Sequence, residues 1–318
     1  MPKIQYSIII TCYNQACFIK DAVESALSQR YAAKEVIVVD DGSYDNSLSI
    51  LMQYESTITL LALATNHGAS VARNAGAAVA TGAYLLFLDG DDLLTPWTLD
   101  IYEQLIIERR PTAIVSAARR FEGPVPVLGD ELPRRLEFFE YPSLMAKDRS
   151  YGINIGAFVI DRLAFHKVGG WSSEIFHLDG QDLYAKLAYS GSAIVVRSPY
   201  TMLYRMHAAN SIRSVPPFLR SAHLIIKREY AGIYPGGRSK RFERYARHGG
   251  VVIFCVKKAL RARLYADALR LVASGWLMIL AAIIRRASVL LRGRRPVQIR
   301  ELRPQESSCH ETVAQNRG

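Results

Sequence analysis

Residues 84–92 read Tyr-Leu-Leu-Phe-Leu-Asp-Gly-Asp-Asp, an apolar run that ends in three carboxylates. A short continuous apolar run predicts a strand that is buried on both faces, as in a parallel sheet. Asp89, Asp91 and Asp92 then follow the carboxyl end of that strand. Two carboxylates at i and i+2, with a glycine between them for close backbone approach, can face one divalent cation. On its own, an Asp-Gly-Asp segment is equally compatible with a solvated acidic turn.

The same order of apolar run, polar turn and helical pattern extends over the first 120 residues. Strands are predicted at 7–11, 36–39, 58–63, 84–88 and 112–117, and helices at 18–29, 69–80 and 95–108. Thr95 and Pro96 are expected to begin the last of these helices, as N-cap and first helical residue. Such alternation predicts an α/β fold with a doubly wound, mostly parallel sheet flanked by helices. In these sheets ligands bind beyond the carboxyl ends of the strands.

Three more polar segments follow predicted strands. They are Thr-Cys-Tyr-Asn at 11–14, Asp-Asp-Gly-Ser at 40–43, and the helix start at 66–76, which contains Arg73. A helix N-terminus with a nearby arginine suits a phosphate, whereas Asp and Ser at a strand end are more commonly helix caps. Together with the carboxylates at 89–92, these segments predict a site for a cation and a nucleotide at one edge of the sheet.

Charge is distributed unevenly along the 318 residues. The segment 213–303 holds 21 Lys and Arg against 4 Asp and Glu, so the remainder carries −6 of the total net charge of +11. A basic section can meet anionic lipid, a phosphorylated acceptor or nucleic acid. The four cysteines show neither metal-ligand spacing nor a disulfide framework. The first residues lack the features of a signal peptide, so a cytoplasmic location is expected.

Seven segments, in this order, resemble the family-2 glycosyltransferases, which have the GT-A fold. The segments are 7–14, 38–43, 66–76, 87–92, 168–171, 181–188 and 204–207. The resemblance implies a metal-dependent, inverting transfer of a sugar from a nucleotide diphosphate donor, most commonly a UDP-sugar. It also implies Mg²⁺ or Mn²⁺ as cofactor and a saccharide or lipid-linked saccharide as acceptor, as in bacterial surface-polysaccharide assembly.

The resemblance divides the chain and assigns its residues. It covers about residues 5–212 and implies a nucleotide-sugar-binding half at 1–120 and an acceptor-binding half at 121–212. The composition of the rest predicts a basic helical extension at 213–303 and a disordered tail at 304–318. The implied donor-binding residues are Thr11, Tyr13, Asp40, Asp41, Arg73 and Asp89. The implied metal ligands are Asp91, as the stronger candidate, with Asp89 and His207.

The general base is where this sequence departs from the family pattern. Family members carry Glu-Asp before the helix that begins here near Leu183, and Gly180 stands at the position of that Asp. Asp179 and Asp182 flank Gly180, and a base must reach the attacking hydroxyl. Asp182 is slightly preferred over Asp179. A catalytically impaired, nucleotide-sugar-binding protein of the same fold is the alternative.

The basic extension contains 14 uncharged residues at 271–284, between Arg270 and Arg285. A spanning helix needs about 20 apolar residues, so a transmembrane segment is not predicted. A helix in this position either docks on the catalytic domain or lies on anionic lipid, with Trp276 among its anchors. The second is favoured, which predicts an anionic membrane surface as partner through 257–295 and a peripheral location on the inner face of the plasma membrane.

Two other functional classes fit less well. A nicotinamide-dependent oxidoreductase needs Gly-x-Gly-x-x-Gly after the first strand, where this chain has Thr-Cys-Tyr-Asn-Gln-Ala at 11–16. A nucleic-acid-binding protein would explain the basic section but not the acidic clusters at the strand ends. No nucleic-acid partner is therefore predicted.

Overall fold

The computed structural model describes residues 4–31, 33–129, 131–146, 158–208, 214–292 and 297–302. Among these residues the strands are β1 (Tyr6–Cys12), β2 (Lys34–Asp40), β3 (Thr59–Ala62), β4 (Tyr84–Asp89), β5 (Leu93–Leu94), β6 (Ala113–Ser116), β7 (Ala118–Phe121), β8 (Arg135–Tyr141), β9 (Phe158–Asp161), β10 (Ala193–Ser198), β11 (Met202–Arg205) and β12 (Gln298–Glu301). The α-helices are α1 (Ile19–Leu27), α2 (Ser47–Met52), α3 (Ala69–Val79), α4 (Thr98–Arg109), α5 (Arg162–Lys167), α6 (Asp179–Lys186), α7 (Pro216–Tyr230), α8 (Arg241–Arg261) and α9 (Tyr265–Arg292).

The first four strands form the parallel part of a nine-stranded sheet, in the order β3-β2-β1-β4. All seven residues of β1 are buried, as expected for an apolar strand covered by helices on both faces. The parallel register places Cys12 beside Asp40 on β2 and Thr11 beside Asp89 on β4. The polar residues that follow these strands therefore lie at one edge of the sheet, as the sequence predicts.

Beyond β4 the sheet is mixed, in the order β4-β9-β6-β10-β8-β12. Strand β9 lies antiparallel between β4 and β6, and β8 is antiparallel to β10. The predicted α/β fold, with a sheet flanked by helices, is confirmed; the sheet is parallel in β1–β4 and between β6 and β10, and antiparallel at β8, β9 and β12. Val159 in β9 stands between Leu86 and Ile114, so its apolar pattern is the same as that of a parallel strand.

Helix α4 begins at Thr98, three residues after the predicted N-cap. Thr95 continues the pairing of β5 with β11 instead, because its N–H donates to the Thr201 carbonyl at 3.1 Å. Strand β5 pairs antiparallel with β11, and β11 pairs parallel with β7, in a small second sheet. This sheet connects the residues after Asp92 with those before His207.

The basic section folds as the helices α7, α8 and α9, followed by β12. A separate apolar core joins these helices to Ile175 and Leu178, which precede α6. Strand β12 then pairs with β8 at the edge of the main sheet. The helical section predicted for 213–303 thus ends in a strand, and the predicted disordered tail at 304–318 lies outside the described residues.

Helices α8 and α9 approach each other closely at Gly249. A Cβ atom at this position would overlap the backbone carbonyl of Met278 on α9. The next residue, Gly250, has open space where its Cβ would be. Gly249 therefore permits direct contact between the two helix backbones, which a side chain would prevent.

Candidate active site

Arg73 joins two carboxylates at the carboxyl edge of the sheet. Its Nη2 lies 2.7 Å from Oδ1 of Asp89, at the end of β4, and its Nη1 lies 2.7 Å from Oδ2 of Asp179, the first residue of α6. The arginine is only 3% exposed. Charge-assisted bonds of this kind are among the strong hydrogen bonds in proteins, and burial strengthens them further. One guanidinium therefore fixes the distance between the two carboxylates.

Trp171 covers one face of this guanidinium, with the Arg73 Cζ 4.9 Å from the ring centroid. Asn74, beside Arg73 on α3, holds the tryptophan backbone through two hydrogen bonds. Its Nδ2 donates to the Trp171 carbonyl at 2.8 Å, and its Oδ1 accepts from the Trp171 N–H at 2.9 Å. The buried arginine is thus enclosed by an aromatic face and two carboxylates.

Asp91 and His207 form a second pair, with Oδ2 of the carboxylate 2.9 Å from Nε2 of the ring. The pairing of Leu93 with Leu203 between β5 and β11 brings them together across 116 residues. The Phe18 ring lies 4.6 Å from the His207 ring and supports it. Burial and the nearby Asp89 carboxylate raise the pKa of Asp91, and the hydrogen bond with His207 acts in the opposite direction.

Asp92, the third carboxylate of the run, does not face the site. It is buried, and its Oδ1 accepts the Arg205 N–H at 2.9 Å. The Arg205 side chain donates to the Asp91 carbonyl at 3.0 Å and to the Asp21 carboxylate at 2.7 Å. Burial and the neighbouring carboxylates raise the pKa of Asp92. Asp92, just before β5, is therefore bonded to the last residue of β11 in the small sheet.

Gly90 lies where a side chain would not fit. Its N–H donates to the Thr11 carbonyl at 2.9 Å, and a Cβ atom would overlap the Gln15 side chain. The backbone after β4 therefore lies in direct contact with the end of β1 and the residues that follow it.

The predicted donor-binding residues at the ends of β1 and β2 differ in exposure. Asp40 and Asp41 are both buried. The Asp41 carboxylate accepts the backbone N–H groups of His67 at 2.9 Å and of Gly68 at 2.7 Å, and so braces the start of α3. Asp40 accepts the Ser43 N–H at 3.1 Å.

Thr11 is also buried, whereas Tyr13 is exposed. The ring of Tyr13 lies edge-on to that of Tyr44, at 6.2 Å between centroids. Tyr44 is exposed as well. Together they form an open pair of aromatic faces of the kind on which a nucleobase stacks.

The two candidate bases lie in different surroundings. Asp179 is at the edge of the site, paired with Arg73. Asp182, one turn further along α6, is 0% exposed. Its Oδ1 accepts from Tyr234 at 2.7 Å and from Arg228 at 2.9 Å, and its Oδ2 accepts from Ser172 at 2.5 Å. An acceptor hydroxyl has no access to a carboxylate that is fully enclosed in this way.

A divalent cation fits the donor chemistry of this edge. Within the described residues no group of three or more His, Cys, Asp and Glu side chains is arranged to hold a metal alone. Asp91 and His207 supply one carboxylate and one imidazole, and Asp89 lies two residues before Asp91, at the end of β4. Mg²⁺ in particular is commonly bound by one or two carboxylates together with water and substrate phosphates. Such an incomplete protein ligand set suits an ion that arrives with a nucleotide.

Several of these contacts could not be read from local sequence pattern. Arg205 and its partner Asp21 are 184 residues apart, and Tyr234 is 52 residues from Asp182. Asn74 was only one of several polar residues in a helix start. The charged and aromatic residues at 228–234 are the one signal in the sequence that could have indicated these partners of Asp182. They do not stand out within the basic section.

Comparisons with known proteins agree with this architecture. Residues 7–168 match the family described as glycosyl transferase family 2. The succinoglycan biosynthesis protein ExoO of Rhizobium meliloti is 38% identical over 91 residues, which are 28% of this chain and 26% of ExoO. The chain covers well under half the length of the curated relatives it matches.

Two solved structures share the fold at low sequence identity. TarS of S. aureus (residues 1–349, with UDP-GlcNAc) is 16% identical, with a TM-score of 0.55 over 92% of this chain and 93% of that one. The mannosyltransferase PcManGT of Pyrobaculum calidifontis, in complex with GDP-Man and Mn²⁺, is also 16% identical, with a TM-score of 0.53 over 92% and 88% of the two chains. The family match spans half of the chain and includes the polar segments at the ends of β1, β2 and β4, so this chain belongs to glycosyl transferase family 2.

Proposed function

We propose that this chain transfers a sugar from a nucleoside diphosphate donor to a saccharide or lipid-linked saccharide acceptor, with inversion at the anomeric carbon. The observation that carries the proposal is the buried Arg73, which links Asp89 on the donor side to Asp179 at the start of α6. A UDP-sugar is the first candidate donor. The TarS and PcManGT structures contain UDP-GlcNAc and GDP-Man, so the test includes both uridine and guanosine nucleotides.

In this proposal the strand-end residues bind the donor. Asp91, Asp89 and His207 would hold Mg²⁺ or Mn²⁺, which neutralises charge on the leaving diphosphate. Tyr13 stacks on the base, while Thr11 and the two carboxylates at 40–41 shape the nucleotide site from behind. Arg73 keeps Asp89 oriented toward the donor ribose.

Asp179 is the general base in this proposal, in place of Asp182. The acceptor oxygen attacks the anomeric carbon, its proton passes to the Asp179 carboxylate, and the bond from the anomeric carbon to the diphosphate oxygen breaks with its electron pair on that oxygen. The Asp179 side chain is 11% exposed and is bonded by Arg73, whereas the Asp182 side chain is 0% exposed and accepts from three donors. Arg73 orients the Asp179 carboxylate through the 2.7 Å ion pair between them.

The experiment that tests the proposal is a calorimetric screen of the purified chain against UDP, GDP, dTDP and CDP, each with and without Mn²⁺. We expect one nucleotide, with UDP first, to bind tightly only in the presence of metal. The corresponding nucleotide-sugars are then assayed for release of the nucleoside diphosphate. Absence of metal-dependent nucleotide binding would contradict the proposal.

A second candidate is a nucleotide-sugar-binding protein that lacks catalysis. It is favoured by Gly180, which occupies the place of the family's base. The same screen separates the two, since this protein would bind the nucleotide but release none from its sugar donor.

The proposal includes association with an anionic membrane surface through α9. One face of α9 packs on the rest of the chain through residues such as Leu271 and Met278. The opposite face exposes Leu269, Trp276, Leu280 and Ile283, with Trp276 55% exposed. A helix with apolar residues exposed along several turns usually meets a second apolar phase.

The charge beside this face favours lipid as that phase. Between residues 257 and 288 there are seven Lys and Arg and a single Asp. Among the described residues, the stretch Tyr265–Ser288 is also long and apolar enough to cross a membrane, judged by length and composition alone. We favour the surface arrangement, because one face of α9 is already buried against the protein. The chain would then act at the inner face of the plasma membrane.

Replacing Trp276 and Leu280 together by Ser is expected to weaken vesicle binding at least about tenfold, because two exposed apolar anchors are lost. The measurement is co-sedimentation with phosphatidylglycerol-containing vesicles at low salt, with neutral phosphatidylcholine vesicles alongside. Leu163→Ser, at an exposed leucine on α5, is the matched control and should bind like the wild type. Binding that is absent in the wild type, or equal in all three proteins, would exclude this surface.

A further inference from the structure

The C-terminal helices reach the active site through a chain of buried polar contacts that the reaction itself does not use. Asp182 is the central member. Its carboxylate accepts from Tyr234, which follows α7, and from Arg228, within α7. Both donors belong to the helical section beyond residue 213. Asp182 and Asp179 are three residues apart on α6, so any movement of one moves the other.

We propose that Arg228 and Tyr234 are positioning residues for Asp179, acting through Asp182. The proposal rests on the proposed function, in which Asp179 takes the acceptor proton. Helix α6 has only eight residues, and helices this short are marginal without tertiary contacts. Its orientation therefore depends on the groups that hold it.

Arg228 holds the segment before α6 together with the helix itself. Its Nη1 donates to Asp182 and to the Ser172 hydroxyl, each at 2.9 Å, and its Nη2 donates to Glu174 at 2.8 Å. Ser172 directly follows Trp171, which covers Arg73. The same guanidinium thus stabilises both the loop behind Arg73 and the first turn of α6.

Tyr234 is fixed from the other side. The residue is buried, and its ring lies 4.8 Å from that of His248 on α8. His248 is 3.4 Å from the Glu229 carboxylate, which also accepts from Arg244 at 3.0 Å. Burial and the adjacent Asp182 carboxylate raise the pKa of the Tyr234 hydroxyl, so it remains a donor to Asp182. The position of the hydroxyl is therefore set by α7 and α8.

Asp179 is consequently held from two directions. Arg73 holds its carboxylate from the donor side, and Asp182 anchors its helix to the C-terminal section. Loss of the second anchor would let α6 rotate or shift while leaving the donor residues in place. A shift of about 1 Å in a reacting group can cost about 100-fold in rate.

The test uses Tyr234→Phe, which keeps the ring against His248 and removes only the hydroxyl. In the full chain we expect kcat for nucleoside diphosphate release to fall by about 10- to 100-fold, with the KM for the sugar donor and the affinity for its nucleotide with Mn²⁺ unchanged. The matched control is Tyr189→Phe. It removes another tyrosine hydroxyl bond to a carboxylate, 3.0 Å from Glu243 of α8, but one that does not reach Asp182.

A second readout does not depend on turnover. Hydrogen exchange of the α6 amides should accelerate in Tyr234→Phe and stay at the wild-type rate in Tyr189→Phe. A wild type that binds nucleotide but releases none would overturn the proposed function alone, and the exchange result would still decide the anchoring of α6. Wild-type kcat and wild-type α6 exchange in Tyr234→Phe, or equal losses in both variants, would overturn the positioning role.

Discussion

Asp179→Asn is expected to slow sugar transfer by about 10²- to 10⁴-fold, the usual contribution of a general base. Asparagine has the same shape and can still accept the hydrogen bond from Arg73, but it cannot take a proton from the acceptor. The nucleotide site should remain intact, since Arg73 keeps its second partner, Asp89. The measurements are steady-state release of the nucleoside diphosphate and calorimetry of nucleotide binding with Mn²⁺.

Two comparison variants make this result specific. Glu24→Gln removes an exposed carboxylate that pairs with Lys20 on α1 and should leave the rate within about twofold of the wild type, since exposed ion pairs contribute little. Asp182→Asn should instead lower the thermal midpoint, because it disturbs a buried network with three donors. If Asp179→Asn transfers the sugar at a rate close to that of the wild type, the general base is another residue.

Asp91→Ala is expected to weaken metal-dependent nucleotide binding on the order of 100-fold, since it removes the carboxylate that pairs with His207. Binding without Mn²⁺ should be equally weak in the wild type and the variant. The measurement is the calorimetric titration described above, repeated after treatment with EDTA.

Glu55→Ala, at an exposed carboxylate in the turn after α2, is the control and should bind like the wild type. If Asp91→Ala keeps the wild-type affinity and the same dependence on Mn²⁺, Asp91 is not a metal ligand. Nucleotide binding that is tight without metal in both proteins would instead show that the donor site needs no cation.

The first half of the fold follows directly from the order of apolar runs. Strands β1, β2 and β4 are buried on both faces, and each ends at a polar segment, so the sequence predicts both the sheet and the edge at which these polar segments meet. The direction of β9 could not be predicted in this way, because Phe-Val-Ile-Asp at 158–161 has the same apolar pattern in either direction. Only its position between β4 and β6 makes it antiparallel.

The choice between Asp179 and Asp182 shows a second limit of the sequence. Both carboxylates lie in the first turn of α6, and helical spacing alone gives them equal standing. What separates them is the burial of Asp182 by Arg228 and Tyr234, residues 46 and 52 positions further on. Contacts over such distances depend on the packing of α7 against the segment that precedes α6. The periodicity of a short helix does not predict such long-range contacts.

The backbone contact at Gly249 has a consequence for where the active site can work. Because α8 and α9 touch without an intervening side chain, they cannot slide past each other without breaking that contact. On a lipid surface, the exposed face of α9 would then hold the protein in one fixed orientation, whereas a flexible anchor would let it rotate. The height and tilt of the donor cleft above the bilayer would be set by helix geometry, and so would the length of acceptor that can reach Asp179.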